Sequence, residues 1–246
     1  MHPKPVGSGE SPPTPYVVLR SPLTLFRLGF RFLTSRSHLS WALQTSASEI
    51  ALYFAEFERL APEAARPSLI ANPDGIKARY LYTICRVLRP ERVIETGVSR
   101  GVSSTGILLA LRENGCGMLD SIDLPGASYV TESKTRWTDI SDSNGPGWTI
   151  PTELRDRWRL HIGASRDILP TVVRKAPNLG LFYHDSEHTL DNMEFEMEVV
   201  WPLLSAGGVL AVDNANWSTA VFRFRSRHPA AQCANLYPFF SILRRD

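Results

Sequence analysis

The chain has 246 residues, 43% hydrophobic and 21% charged, enough to bury one substantial core, and it reads as one domain with an N-terminal extension. Its 27 basic and 25 acidic residues leave a net charge of +2, too even for a nucleic-acid footprint and in keeping with work on a small molecule. Cys85, Cys116 and Cys233 are odd in number and widely spaced, which argues against a disulfide framework or a zinc knuckle; a reducing, cytoplasmic setting is expected.

Residues 1–19 open on a run rich in proline, glycine and serine with no apolar signal region, so a disordered tail is expected. No later run reaches membrane-spanning length. Over residues 20–36, Leu23, Phe26, Phe30 and Leu33 fall at helical spacing, with Arg27, Arg31 and Arg36 elsewhere around the axis. Such a basic amphipathic helix packs on the domain or on a second subunit, or else lies on a membrane. The packed reading is preferred, since Gly29 and the shortness weaken an anchor, and a homo-oligomer is expected. Ser46 to Glu63 adds a second periodic segment, and residues 20–72 together form an N-terminal helical extension. Asp74 to Leu88 carries Ile76, Tyr80, Ile84 and Val87 on one stripe with Pro90 beyond its end, a helix leading into a sheet.

From residue 92 short apolar runs alternate with helical patterns: strand 92–95, helix 102–113, strand 117–123, strand 158–162, helix 165–175, strand 179–184, helix 189–204 and strand 208–213. One or two closing strands follow in 232–244 around Pro238. This is the sequence form of an α/β domain over residues 73–246 with a doubly wound, mostly parallel sheet. Residues 124–150, with Tyr129, Trp137, Trp148 and the run Asp142-Ser-Asn-Gly-Pro-Gly147, interrupt it. An insertion at a strand tip reads either as a substrate lid or as an ordinary surface loop.

The run Arg92-Val-Ile-Glu-Thr-Gly-Val-Ser-Arg-Gly-Val-Ser-Ser104 is the most informative in the chain. A buried strand ends at Glu95, and Gly97 and Gly101 permit a tight turn with close backbone approach. Ser103-Ser104 can cap the helix that follows. Met118-Leu-Asp-Ser-Ile-Asp123 is a second strand ending in a carboxylate, suited to the two hydroxyls of a ribose at the neighbouring tip. The next tips carry Phe182-Tyr-His-Asp-Ser-Glu-His-Thr189 and Val209-Leu-Ala-Val-Asp-Asn-Ala-Asn-Trp217. Asp185, Asp213 and Asn214 are oxygen donors that neighbouring strands would bring together, the set a hard divalent ion such as Mg²⁺ prefers. His188, three residues past Asp185, can act as a base there near neutral pH. Singly, Asp185 reads equally well as a helix cap, Asp213-Asn214 as a turn and His188 as a surface imidazole; the conjunction favours a site. By strand alternation His184 points away from Asp185, and Glu187, Glu194, Glu196 and Glu198 read as a solvated helix face.

On these motifs residues 73–246 resemble the class I S-adenosylmethionine-dependent methyltransferases, and among them the metal-dependent O-methyltransferases of the catechol and macrolide-sugar types. The resemblance implies a Rossmann-like methyltransferase fold binding S-adenosylmethionine and Mg²⁺. Glu95-Thr-Gly-Val-Ser-Arg-Gly101 is similar to the family's first motif, so Glu95, Gly97 and Ser99, with Gly101 and Ser103 beside them, are expected at the methionine part of the cofactor. Asp123 falls on the ribose-binding acid. Ile162-Gly-Ala-Ser-Arg-Asp-Ile-Leu-Pro170 is similar to the segment flanking the adenine, which implies Ala164 and Ser165 as its neighbours. Asp185, Asp213 and Asn214 fall on the magnesium ligands, Asp185 also bordering the cofactor, and His188 falls on the catalytic base. A histidine base tilts the expected acceptor toward a vicinal diol or sugar hydroxyl of a small molecule or glycoconjugate, although sugar-type members carry Asp-Asp where this chain has Asp213-Asn214. Arg100 departs from the motif, because this cofactor offers no phosphate. Two rivals stand: a nicotinamide dehydrogenase, disfavoured by the absence of G-x-G-x-x-G and of a Tyr-x-x-x-Lys pair, and a non-catalytic nucleoside-binding adaptor whose basic helix recruits a membrane or a partner protein.

Overall fold

The alternation of apolar runs with helical periodicity becomes strands β1 (Arg92–Thr96), β2 (Met118–Asp123), β3 (Trp158–Ile162), β4 (Leu179–His184), β5 (Leu204–Val212), β6 (Gln232–Leu236) and β7 (Phe240–Arg244) in the computed structural model. It describes residues 35–63, 66–70, 73–124, 144–236 and 239–246. The expected tail 1–19, nearly all of the basic helix 20–36, Pro238, and residues 125–143 of the insertion with Tyr129 and Trp137 lie outside the described residues. The strands form one sheet in the order β3-β2-β1-β4-β5-β7-β6. β1 to β5 run parallel, and β7 is inserted antiparallel between β5 and β6. Successive connections move outward from β1 to β3, then return to place β4 on the other side of β1. That reversal opens a crevice at the carboxyl ends of β1 and β4, where open α/β sheets bind ligands.

Helices α1 (residues 35–43), α2 (Ala47–Leu60), α3 (Arg66–Ile70), α4 (Pro73–Leu88) and α5 (Val102–Asn114) cover one face; α6 (Ser165–Arg174), α7 (Leu190–Val200) and α8 (Ala220–Arg227) cover the other. Strand pleating distributes the side chains: Leu181, Tyr183, Val209 and Ala211 join the first core, while Phe182, Leu210 and Val212 join the second. A parallel sheet buried on both faces needs such unbroken apolar runs rather than alternation with polar residues. Leu39, Leu43, Ile50, Phe54 and Phe57 of α1 and α2 belong to the first core, so the described part of the extension shares the hydrophobic interior of the sheet. Ser46 starts α2 by accepting from the Glu49 amide at 3.1 Å. Among the described residues no helix is long and apolar enough to cross a membrane.

The largest differences from the sequence reading lie in α7, β5 and α8. α7 ends at Val200 in a 3₁₀ turn Trp201–Leu203 rather than running to 204, because Pro202 cannot continue a helix. β5 begins at Leu204 instead of 208, and its register on β4 shifts between Leu179 and Leu181. α8, unforeseen in Ala-Val-Phe-Arg-Phe-Arg-Ser-Arg, forms because Ala220, Val221 and Phe224 share a buried side while Phe222 is exposed.

Candidate active site

At the β1 tip the chain turns through Gly97 at φ +83°, and the Gly97 amide donates to the Ile122 carbonyl at 2.9 Å. A Cβ at Gly97 would lie 2.1 Å from the Asp185 carbonyl oxygen, so backbone touches backbone between the β1 and β4 tips. The buried Asp123 carboxylate accepts from the amides of Val98 (2.6 Å) and Ser99 (2.9 Å). Burial raises its pKa while these two bonds pull the other way. Asp123 therefore fixes the glycine turn as well as standing at the β2 tip. Ser99 adopts φ +48° and is exposed.

Ser103 and Ser104 do not cap α5. The N-cap is Gly101, which has no side chain to accept with, and both hydroxyls donate instead to the fully buried Glu95, joined by Ser121 (2.9 Å). Burial lifts Glu95 to about 7 against the three hydroxyl bonds. Its carboxylate is occupied by protein hydroxyls and ties β1 to β2 and α5. Gly101 packs beneath residues 147–150, where a Cβ would meet Ile150 at 2.6 Å; Ser99 and Arg100 carbonyls accept from the Gly147 and Thr149 amides. The described end of the insertion thus covers the outer side of the glycine turn. Arg100 has an ion-pair partner in Asp74 of α4, at 3.9 Å, which gives it a structural reason.

Ile162 stands opposite Asp123 in the β2–β3 register and is 53% exposed, an apolar surface beside the ribose-type acid. The Gly163 amide donates to the Asp123 carbonyl. Ala164 is the N-cap of α6, and the Ser165 hydroxyl lies 3.5 Å from Asn192 of α7, so these two are placed at the β3 tip next to Asp123.

The second pair of tips converges. The Asp185 amide donates to the Thr96 carbonyl and the Asp213 amide to the His184 carbonyl, which keeps the ends of β1, β4 and β5 in step. One ligand atom each of Asp185, His188 and Asp213 lies within 4.8 Å of the others. Asp185 Oδ1 is 3.8 Å from His188 Nε2, and its Oδ2 accepts from the Tyr183 hydroxyl at 2.9 Å. Loss of water and the Asp213 charge push the Asp185 carboxyl well above its ordinary value. Asp213 Oδ1 and His188 Nε2 are buried with no hydrogen-bond partner. An unsatisfied buried carboxylate oxygen beside a second acid is costly, and a divalent cation would satisfy Asp213 Oδ1 together with Asp185, so the two carboxylates fit such an ion and leave His188 Nε2 free. Asn214 follows in a left-handed turn, φ +46°, at the same tip. His188 packs against the rings of His184 and Trp217, each 5.2 Å away; burial and the His184 charge lower it to about 4.

Two site residues escaped the sequence reading. Lys77 of α4 donates to Asp213 Oδ2 at 2.6 Å from 136 positions away. Burial would lower its pKa, but the charges of Asp213 and Asp185 override this and raise it. Glu196, read as part of a solvated face, is instead fully buried. It lies 2.7 Å from His184 Nδ1 and accepts from Thr96, Ser186 and Asn192. His184 does point away from Asp185, as alternation requires, and this cluster anchors the β4 tip to α7. A helical wheel would have revealed Glu196, which shares a side with Asn192, Met193, Met197 and Val200, all buried. No local signal marks Lys77.

Comparison with known proteins gives this geometry a family. Residues 94–215 match the family described as a methyltransferase domain, a span that holds the glycine turn and the tips of β1 to β5. No curated protein matches the chain in sequence. The fold is similar to the methyltransferase PaMTH1 of Podospora anserina, solved with S-adenosylhomocysteine, at 16% identity and a TM-score of 0.51, covering 81% of this chain and 95% of that one. It is similar to the O-methyltransferase TomG of Streptomyces achromogenes, solved with S-adenosylmethionine, at 19% identity, a TM-score of 0.51, and 79% and 90% coverage. A Bacillus cereus O-methyltransferase in complex with S-adenosylhomocysteine matches at 15% identity and a TM-score of 0.51 over 89% of this chain and 100% of its own. The family match gives residues 94–215 as a methyltransferase domain, and the crevice built on these strand tips lies within it.

Proposed function

We propose that this protein methylates a hydroxyl oxygen of a vicinal diol or sugar, carried by a small molecule or glycoconjugate, in a reaction that depends on Mg²⁺. The observation that carries the reading is the convergence of Asp185, His188 and Asp213 within 4.8 Å, directly against the glycine turn. TomG and the Bacillus cereus protein, both described as O-methyltransferases, share the fold and support oxygen as the acceptor.

S-adenosylmethionine supplies the methyl group on a sulfonium centre. Backbone at Gly97 and Ser99, held by Asp123, lines the methionine and ribose end, and the exposed Ile162 beside Ala164 and Ser165 offers an apolar surface for the adenine. Asp185 and Asp213, with Asn214 at the same tip, would hold the Mg²⁺, which would supply Lewis acidity that makes an acceptor hydroxyl easier to deprotonate. His188 Nε2 faces the same space and takes the hydroxyl proton as the oxygen–methyl bond forms and the sulfur–methyl bond breaks. Buried and neutral at physiological pH, His188 is a weak base suited to an acceptor that is already acidified.

The test is incubation of the full chain with isotopically labelled S-adenosylmethionine and a panel of glycosides, aliphatic vicinal diols and phenols, with Mg²⁺ or with chelator. Methyl gain on a sugar or diol only with Mg²⁺ supports the proposal. Transfer that persists in chelator removes the ion from the reaction, and methylation of phenols alone reassigns the acceptor.

A further inference from the structure

We infer that the ε-ammonium of Lys77 is the protein's own cation in this seat, and that a divalent ion enters by displacing it from Asp213 toward Asp74. The inference rests on the divalent-ion reading above and adds a competitor carried on α4. Lys77 Nζ lies 2.6 Å from Asp213 Oδ2 and 3.9 Å from Asp74 Oδ1, its neighbour one turn back on the same helix. The side chains of Lys77 and Asp213 are 12% and 3% exposed, whereas that of Asp74 is 53% exposed. Two acids at adjacent tips in a poorly solvated crevice require a counter-charge, and Lys77 supplies it.

The two cations exclude one another. A divalent ion ligated through Asp185 and the unpartnered Asp213 Oδ1 would sit a few ångströms from Nζ, and the repulsion between charges of +2 and +1 at such a distance exceeds thermal energy roughly tenfold. Asp74 gives the displaced ammonium somewhere to go. It is a carboxylate within reach of the flexible four-carbon stem and open to water, so the ammonium regains solvent while keeping a partner. The Lys77–Asp213 contact therefore weakens ion binding while it neutralises the buried acid in the ion-free protein.

The experiment is calorimetric titration of MnCl₂ and MgCl₂ into the full chain and into Lys77→Met. Removing the competitor should tighten binding roughly tenfold or more, the equivalent of one buried charge-assisted hydrogen bond. Arg79→Met removes a charge two residues along α4 that answers Glu58 rather than Asp74 or Asp213, and should change affinity by less than about twofold. Equal or weaker binding by Lys77→Met overturns the inference, as does an equal gain in Arg79→Met, which would reduce the effect to net charge. If neither the wild type nor the variant binds either ion, the divalent-ion reading itself falls. Should Lys77→Met not fold, Lys77→Gln takes its place. Wild-type crystals grown with MnCl₂ give an answer without a variant, since Nζ must then leave hydrogen-bonding distance of Asp213, and an Nζ still on Asp213 beside a bound ion refutes displacement.

Discussion

Glu196→Gln tests how the Asp185 tip is held. The Glu196 carboxylate is fully buried and gathers Thr96 (2.6 Å), Ser186 (2.7 Å), Asn192 (3.1 Å) and His184 (2.7 Å). Burial alone would raise its pKa, but the charge and hydrogen bond of His184 and the neighbouring hydroxyls prevail and hold it at about 2, against an ordinary value of 4.5. At roughly 1.4 kcal/mol for each pH unit, this favours the charged folded form by about 3 kcal/mol. A carboxyl depressed in the fold stabilises it fully above 4.5, and the benefit is lost as the pH falls from 4.5 toward 2. Gln keeps the volume but replaces one acceptor with an amide donor that faces other donors. At pH 7 the variant should lose about 3 kcal/mol in urea unfolding, or roughly 6–12 °C in Tm for a protein of this size. At a pH of about 3.5 the gap should narrow by about 1.4 kcal/mol, because the unfolded carboxyl is then mostly protonated. A variant within about 0.5 kcal/mol of wild type at pH 7 would mean a solvated carboxylate, and the anchoring argument would fail.

Two further outcomes follow from the same crevice. Gly97→Ala places a Cβ 2.1 Å from the Asp185 carbonyl at φ +83°, where left-handed strain of about 1–2 kcal/mol adds to a clash that no rotamer relieves; a lowered Tm and roughly tenfold weaker S-adenosylmethionine binding are expected, and a variant that binds and melts like wild type would deny the contact. His188→Ala should cut turnover by about 10²–10⁴ with cofactor affinity intact, and because burial and the His184 charge lower His188 to about 4, the acid limb it sets in kcat/KM should lie near 4; a limb near 6.5, or loss of cofactor binding, would give His188 another role.

Much of the architecture was legible in local pattern. Apolar runs closed by polar residues put the strand ends at 95, 123, 184 and 213, within one residue of the observed Thr96, Asp123, His184 and Val212, and a parallel sheet puts all such ends on one edge. That is why the sequence alone pairs Asp185 with Asp213, 28 positions away. The helix-capping role of Ser103 and Ser104 was misread because a hydroxyl in a first turn can satisfy the backbone or a neighbouring acid, and only the depth of Glu95 decides between them.

The sequence by itself determined the α/β alternation, the glycine turn and the acids at the tips, because each is written in residues a few positions apart and obeys the periods of strand and helix. Tertiary structure alone decided which charge answers which: Lys77 on Asp213, Arg100 on Asp74, Glu196 with His184. A charged side chain gives no local indication of its partner, since its energy depends on how much water the fold removes and on what opposite charge the packing of distant helices brings within a few ångströms.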